Sequence, residues 1–231
     1  MNETSVIETP TPTIQVPVAF FDLDLTLLSV NSASLWIKSE YKLGFVSTWQ
    51  VIKASYWLTR YHLGASSLES ALLSAIKSLK GQDADAFKKR MLLFFESKLK
   101  HLLRPGALEQ VAKHKAQGHL CYLCTNATNI LSELFVNELK LNGMICNTFE
   151  VKQGHFTGEP ASLLCFGSGK LVLAKQLLQN SHISLSECYF YTDSYSDLPL
   201  LEQVGYPILV HPDPRLEREA QKRGWPIVNW D

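Results

Sequence analysis

Two aspartates and a threonine, Asp22, Asp24 and Thr26, directly follow the apolar run 18–21. Side chains at i and i+2 share a face while the backbone stays extended, so the two carboxylates can converge where a strand becomes a loop. Carboxylates beside apolar surface must find a partner or lose their charge, which favours a chemical role over a solvated acidic turn. We expect this pair at the carboxyl end of a parallel strand, where open α/β sheets bind ligands.

Thr125 and Asn126 follow a second strand-like run, residues 119–124, and precede a helix predicted to start near Asn129. A hydroxyl and free backbone N–H groups at such a strand end can bind phosphate. A threonine that caps the following helix would give the same pattern, so both interpretations stay open.

Lys170 begins a predicted helix after a glycine-rich loop, residues 158–169. The loop lacks the GxxxxGK[ST] pattern and no strand immediately precedes it, so it is not a P-loop. An ammonium in the first turn of a helix opposes the helix dipole, which favours a functional reason for this lysine.

Asp193 and Asp197 follow a third strand-like run, residues 187–192. Two carboxylates four residues apart across a strand-to-helix turn can face one cation. The structural alternative is an Asx-turn, with Asp197 as the N-cap of the next helix.

Taken in order, these positions form four motifs that resemble those of the haloacid dehalogenase superfamily, most closely its subfamily IB of phosphoserine-phosphatase-like hydrolases. The resemblance runs from about Val18 to the C-terminus. It implies an α/β fold, with a Rossmann-like core around a parallel sheet and a helical cap inserted after the first strand. It also implies a Mg²⁺-dependent phosphomonoesterase that acts on a small phosphorylated metabolite through an aspartyl-phosphate.

The resemblance further implies a role for each motif residue. Asp22 is the nucleophile, and Asp24 is the general acid and then the general base. Mg²⁺ lies between Asp22, the backbone carbonyl of Asp24 and Asp193. The phosphoryl oxygens are bound by Thr125 and Lys170, whereas the metal site and the loop after the nucleophile are held by Asp197 and Thr26.

Three positions depart from the family pattern. Leu25 and Thr192 each stand where a glycine is usual. Asn31 stands where phosphoserine phosphatases place a glutamate that recognises the substrate amine, and a neutral amide cannot pair with an ammonium as a carboxylate does. Asn31 is therefore a candidate for substrate selection, and other phosphomonoesters, such as amino-alcohol or sugar phosphates, gain weight against phosphoserine.

Residues 31–103 have helical periodicity and interrupt the alternating βα pattern, which predicts a helical insertion there. In the resembled family this is the position of the cap, which implies a core formed by 18–30 and 104–231. The apolar positions of the last cap helix include Phe87, Met91, Leu92 and Phe95. From Lys38 to Arg104 we count 12 Lys/Arg against 5 Asp/Glu, although the whole chain has a net charge of zero. The basic segment suits a small anionic substrate, and the neutral total argues against a general nucleic-acid-binding protein.

The aromatic and basic stretch 49–62, which includes Arg60, allows two interpretations. Ordinary helix packing with a basic rim is the first, and a patch that contacts the phosphorylated substrate or a membrane surface is the second. Membrane contact would fit a phosphatidylglycerophosphate-type lipid phosphatase. A third alternative, a phosphate- or partner-binding protein without turnover, is disfavoured because every charged catalytic group is present.

Five cysteines, an odd number, predict a reduced, cytoplasmic protein. Cys121 and Cys124 lie on one strand with side chains expected on opposite faces, which argues against a shared metal. Residues 1–17 resemble a flexible tail without a secretory signal, and no apolar run reaches membrane-spanning length. Amphipathic cap helices look alike whether they pack internally or on a partner, so no oligomeric state is predicted.

Overall fold

The computed structural model of the protein describes residues 16–49, 52 and 68–231. Six of its strands form one sheet: β1 Val18–Phe21, β2 Leu120–Thr128, β3 Gly143–Asn147, β6 Tyr189–Thr192, β7 Tyr206–Val210 and β8 Ile227–Val228. All neighbours are parallel, in the order β3-β2-β1-β6-β7-β8. Strands β4, Phe149–Lys152, and β5, His155–Pro160, form a separate antiparallel hairpin.

The helices of the described residues fall into two groups. Between β1 and β2 lie α1 Ser32–Lys42, α2 Leu68–Ser78, α3 Ala84–Ser97, the 3₁₀ turn Leu99–Leu102 and α4 Pro105–Ala116. After β2 the helices are α5 Asn129–Leu139, α6 Ser168–Leu178, α7 Leu198–Leu201 and α8 Pro214–Arg223, with 3₁₀ turns at Leu185–Glu187 and Tyr195–Asp197. The predicted α/β class is confirmed, whereas the division into core and cap domains stays a prediction.

Alternate residues of β1 belong to two apolar clusters, one on each face of the sheet. Ala19 and Phe21 belong to the first cluster, Val18 and Phe20 to the second. The same alternation on β2 separates Cys121 from Cys124, as predicted, and all five cysteines are free thiols. A strand buried on both faces is typical of a parallel sheet covered by helices.

Helix α3 packs on α5, where the ring of Phe95 lies edge-on to Phe135 with 5.0 Å between the ring centroids. Its predicted apolar face is largely correct, but Leu92 is 45% exposed and Phe94 is buried in its place. Phe94 follows Met91 by three residues and therefore shares its face, whereas Leu92 is rotated about 100° away from Met91.

The chain leaves the sheet and returns to it at neighbouring points. Leu28 and Leu103 form an antiparallel bridge, and the Arg104 N–H donates to the Leu27 carbonyl at 2.9 Å. Both ends of the helical insertion are thus joined beside the carboxyl end of β1.

Several predictions fall on residues that are not described. Arg60 and almost all of the stretch 49–62 lie outside the described residues, and so does most of the tail 1–17. Among the helices that are described, none is long and apolar enough to cross a membrane.

Candidate active site

The site lies at the carboxyl edge of the sheet, on neighbouring strands. Asp22 directly follows β1, and its N–H donates to the Tyr191 carbonyl of β6 at 2.9 Å. Asp193 follows β6 directly. Because the chain continues from β1 to one side of the sheet and later returns to the other side, this edge is a topological switch point, where open α/β sheets bind ligands.

A wide turn carries the chain away from Asp22. The Leu27 N–H donates to the Asp22 carbonyl at 3.4 Å, and the Leu28 N–H donates to the Leu23 carbonyl at 2.8 Å. Within this turn Leu25 has a φ of 60°, in the left-handed region that favours glycine. Leucine thus stands where glycine is usual in the family, and its backbone keeps the left-handed conformation that glycine adopts easily.

The Lys170 ammonium is shared by two carboxylates. Its Nζ lies 2.7 Å from Asp22 Oδ1 and 2.8 Å from Asp197 Oδ2, and the side chain is 1% exposed. Burial by itself lowers the pKa of Lys170, but the two carboxylates outweigh burial and hold that pKa well above its usual value. A Cβ on Gly169 would lie 2.0 Å from the Leu164 carbonyl oxygen, so the loop can place Lys170 here only with a glycine before it.

Asp197 is fully buried and also accepts a hydrogen bond from Thr192 Oγ1, at 2.6 Å. The threonine that replaces the family's glycine thus adds a donor to this carboxylate. Asp197 occupies the N-cap position of α7, but its side chain makes no capping hydrogen bond, so the capping alternative is wrong. Its Oδ1 atom is buried without a partner among the described residues.

Asp193 accepts a hydrogen bond from Thr26 Oγ1 at 3.2 Å. Burial, followed by repulsion from Asp22 and Asp197, raises the pKa of Asp193 to about 8. Burial also raises the pKa of Asp22, to about 7, although Lys170 opposes the increase. Lys170 contacts Asp22 and Asp197 and lies within electrostatic reach of Asp193, so one ammonium faces three carboxylates and two negative charges stay unbalanced when all are ionised.

The donor set fits a divalent cation such as Mg²⁺. Two surplus negative charges and the unpartnered oxygen of Asp197 are the features that a bound cation and its waters would satisfy. Within the described residues, no three His, Cys, Asp or Glu side chains form a ready-made metal cage. Mg²⁺ does not require one, because it commonly binds through one or two carboxylates and keeps several waters.

Asp24 turns toward the start of α1. Its Oδ1 accepts from the Ser32 N–H at 2.8 Å, and its Oδ2 lies 3.4 Å from Asn31 Nδ2. Burial raises the pKa of Asp24, and the hydrogen bonds from Ser32 oppose that increase. Asn31 Oδ1 accepts from the Ser34 N–H at 2.9 Å and caps α1. The Asn31 side chain, which was predicted to select the substrate, is thus hydrogen-bonded to the start of α1 and to Asp24, the predicted general acid.

Thr125 is buried at the same edge, two residues beyond Leu123, which lies opposite Phe21 of β1. Its Oγ1 accepts from the Ala127 N–H at 3.1 Å. The helix-capping alternative is wrong for Thr125, because β2 continues to Thr128 and that residue caps α5.

Asn126 is tied to the glycine-rich loop by a residue that the sequence analysis missed. Asn147 Nδ2 donates to the Asn126 carbonyl at 2.6 Å, and Asn147 Oδ1 accepts from the Cys165 N–H at 2.8 Å. Arg104, 8% exposed, was also missed as a residue near the site. No motif marks Asn147, whereas Arg104 stands in the Arg-Pro-Gly sequence where the insertion ends.

Comparisons with known proteins show which family and which relatives the chain resembles. A sequence model of the haloacid dehalogenase-like hydrolase family matches residues 19–202. A probable phosphatase of Mycobacterium tuberculosis is 27% identical over 215 residues, which cover 92% of this chain and 75% of the relative. A phosphoserine phosphatase of the same organism is 25% identical over 213 residues, 90% of this chain and 69% of the relative. A histidinol-phosphatase of Neisseria meningitidis is 25% identical over 218 residues, 92% of this chain and 98% of the relative.

Solved structures share the fold. A Bordetella pertussis Tohama I protein of unknown function has a TM-score of 0.86 at 27% identity, covering 94% of this chain and 100% of its own. A substrate-bound phosphoserine phosphatase has a TM-score of 0.67 at 17% identity, covering 90% of this chain and 98% of its own.

Proposed function

The chain belongs to the haloacid dehalogenase-like hydrolase family and is a phosphatase with phosphoserine-phosphatase-like relatives, and we propose that it hydrolyses the phosphate ester of a small metabolite with Mg²⁺ as cofactor. The observation that carries this proposal is the buried Lys170 ammonium held between Asp22 and Asp197. An ammonium at this place stabilises the ionised form of Asp22, which a nucleophile requires, and attracts a phosphoryl group to it.

The reaction has two steps. In the first, an oxygen of Asp22 attacks phosphorus while the ester oxygen leaves and takes a proton from Asp24. In the second, Asp24 accepts a proton from a water that attacks the same phosphorus, and the bond to Asp22 breaks to release phosphate. Asp24 is suited to the first step because it lies within electrostatic reach of the nucleophile, and because its burial raises its pKa and so favours the protonated form that this step needs.

The transition-state charge is spread over fixed donors. Lys170 and the Thr125 hydroxyl, with the backbone N–H groups at Thr125 and Asn126, bind the phosphoryl oxygens. Mg²⁺ would be held by Asp22, the backbone carbonyl of Asp24 and Asp193, with Asp197 beside it, and when bound it neutralises charge on the phosphoryl group. Thr26 fixes the Asp193 carboxylate through its hydrogen bond.

The proposed substrate is a small phosphomonoester of the kind that relatives named histidinol-phosphatase and phosphoserine phosphatase act on. Asn31 supplies no carboxylate for a substrate ammonium, so we place other phosphomonoesters ahead of phosphoserine. We propose a cytoplasmic location on the basis of the free thiols.

The test is hydrolysis of an aryl phosphate with and without Mg²⁺, followed by a panel of phosphoserine, histidinol phosphate, sugar phosphates and phosphatidylglycerophosphate. Asp22→Asn should abolish turnover in a folded protein, while Asp85→Asn on the exposed start of α3 should not. Turnover by Asp22→Asn at the wild-type rate would refute the nucleophile assignment. A wild-type protein inactive on the whole panel would favour the binding-protein alternative, and a preference for phosphatidylglycerophosphate would favour the lipid-phosphatase alternative.

A further inference from the structure

Arg104 is a buried cation that the proposed reaction does not use. It stands where the helical insertion returns to the sheet, and its N–H donates to the Leu27 carbonyl in the turn after Asp22. Its guanidinium is 8% exposed, and the Nε atom is buried without a hydrogen-bond partner among the described residues.

The guanidinium reaches toward the loop that carries the general acid. Arg104 Nη2 lies 3.5 Å from the carbonyl oxygen of Leu25, the residue directly after Asp24. The Leu25 N–H donates to the Val30 carbonyl at 3.2 Å, so both peptide groups of this residue are held. Since Leu25 has an unfavourable positive φ, contacts on both of its sides are what keep the loop in this conformation.

The far side of Arg104 is anchored by Asp231, whose Oδ1 forms an ion pair with Nη1. The residue before it, Trp230, is tightly held, because a Cβ on Gly106 would lie 2.8 Å from the Trp230 Cα. Trp230 also accepts from the Gly106 N–H at 3.0 Å and donates its own N–H to His211 Nε2 at 3.3 Å. Asp231 is therefore presented by a rigid segment, although its own side chain is 61% exposed.

We propose that Arg104, oriented by Asp231, is a positioning residue that holds the Leu25 carbonyl and thereby fixes the direction of Asp24 toward the leaving group. This role rests on the proposed phosphatase reaction. The same guanidinium lies within electrostatic reach of Asp193, so an effect on the metal site is the rival explanation that the test must separate.

The leaving group separates the two explanations. An alkyl phosphate needs a proton from Asp24 as its ester bond breaks, whereas 4-nitrophenol leaves without one. The quantity to compare is kcat/KM for glycerol phosphate and for 4-nitrophenyl phosphate. This constant reports the reaction up to formation of the aspartyl-phosphate. Arg104→Gln should lose about tenfold or more on glycerol phosphate, as expected for a misplaced catalytic group, but less than about threefold on 4-nitrophenyl phosphate. Asp24→Asn is the reference variant, and it should likewise lose more kcat/KM on glycerol phosphate than on 4-nitrophenyl phosphate.

Asp231→Asn leaves Arg104 in place and removes the negative charge that faces Arg104 and, at 3.5 Å, His211 Nε2, so it tests the proposal even if Arg104→Gln fails to fold. It should show the same imbalance to a smaller extent. Arg90→Gln is the matched control, since Arg90 also pairs with a buried carboxylate, that of Glu40, but away from the Asp24 loop. Arg90→Gln should change both substrates equally.

The positioning role would be overturned if the Arg104 and Asp231 variants lost equal activity on both substrates, whether or not their Mg²⁺ requirement changed. Unchanged activity in both variants would overturn it as well. A wild-type protein without turnover on these two esters and on the whole substrate panel would instead refute the proposed function.

Discussion

Lys170 Nζ lies 2.7 Å from Asp22 Oδ1, and both side chains are almost completely buried. Lys170→Met should therefore abolish phosphatase activity and also lower the free energy of unfolding by about 3 kcal/mol, because it leaves carboxylates buried without their cation. Urea unfolding at pH 8 measures the second effect. Lys222→Met, at an exposed lysine paired with Glu219, should leave both quantities unchanged. A stable and active Lys170→Met protein would show that this ammonium has neither role.

The carboxylates of Asp22 and Asp193 give the metal-free protein a specific pH dependence. Their folded-state pKa values, about 7 and about 8, lie above the ordinary value of 3.8, so the folded protein binds more protons than the unfolded chain at neutral pH. Their contribution to stability is full below about pH 4 and is lost as the pH rises through 7 and 8. The melting temperature of the metal-free protein should therefore fall as the pH is raised from about 4 to about 8.

Mg²⁺ should reverse this loss, because it binds the ionised carboxylates and releases their protons. The increase in melting temperature on adding Mg²⁺ should be larger at pH 8.5 than at pH 6. Asp193→Asn should remove most of the increase, while Asp85→Asn should retain it. A Mg²⁺ effect independent of pH would contradict the elevated pKa values.

Leu25 holds a positive φ at a position where the residue is 40% exposed, so burial offsets the backbone strain only in part. Leu25→Gly should raise the free energy of unfolding by up to about 1 kcal/mol, because glycine adopts this conformation without a steric penalty. Leu25→Ala keeps the strain and should show no increase. A destabilised glycine variant would mean that the leucine side chain contributes contacts worth more than the strain.

Thr192 Oγ1 donates to a buried carboxylate oxygen of Asp197. Thr192→Val keeps the shape of the side chain but removes the hydroxyl, which also accepts from the Ser194 N–H at 3.2 Å. It should lower the free energy of unfolding by about 2 kcal/mol, mostly through the lost hydrogen bond to a charged group. Thr192→Ser retains the hydroxyl and should lose much less. Similar losses for valine and serine would assign the effect to packing of the methyl group instead.

Local signals predicted much of this fold. The helix expected near Asn129 starts there, and a helix follows the glycine-rich loop with Lys170 in its first turn. These features depend on neighbouring residues, whose turn and periodicity preferences are written in the local sequence. Asp22 and Asp193 directly follow their strands as expected, whereas β2 continues three residues past Thr125, to Thr128.

Contacts between distant parts of the chain were not predictable in this way. Arg104 meets residues 79 and 127 positions away, and Asn147 bonds to the loop after β2 and to the glycine-rich loop. No periodicity or spacing encodes such pairs. Thr125 and Asp197 were ambiguous between catalysis and capping for the same reason, because only the register of β2 and the position of Lys170 decide what their side chains contact.

Asn31 makes two hydrogen bonds, one with the Ser34 N–H and one with Asp24, and a single substitution can keep the first while removing the second. Asparagine and aspartate cap helices about equally well, so Asn31→Asp should keep the free energy of unfolding within about 0.5 kcal/mol, whereas Asn31→Ala should lose about 1 kcal/mol. Asn31→Asp also replaces the donor to Asp24 by a negative charge, so kcat/KM should fall despite the retained stability. Full activity of this variant would show that the contact with Asp24 does not matter for catalysis.

The same variant tests the role of Asn31 in substrate selection. A carboxylate at position 31 can pair with a substrate ammonium, which the amide cannot do. If Asn31 faces the substrate, Asn31→Asp should raise the ratio of kcat/KM for phosphoserine to that for phospholactate, which lacks the amine. Asn31→Ala serves as the control, because it supplies no charge and should leave the ratio at the wild-type value. An unchanged ratio in Asn31→Asp would place amine recognition elsewhere and leave Asn31 with its contacts to Ser34 and Asp24.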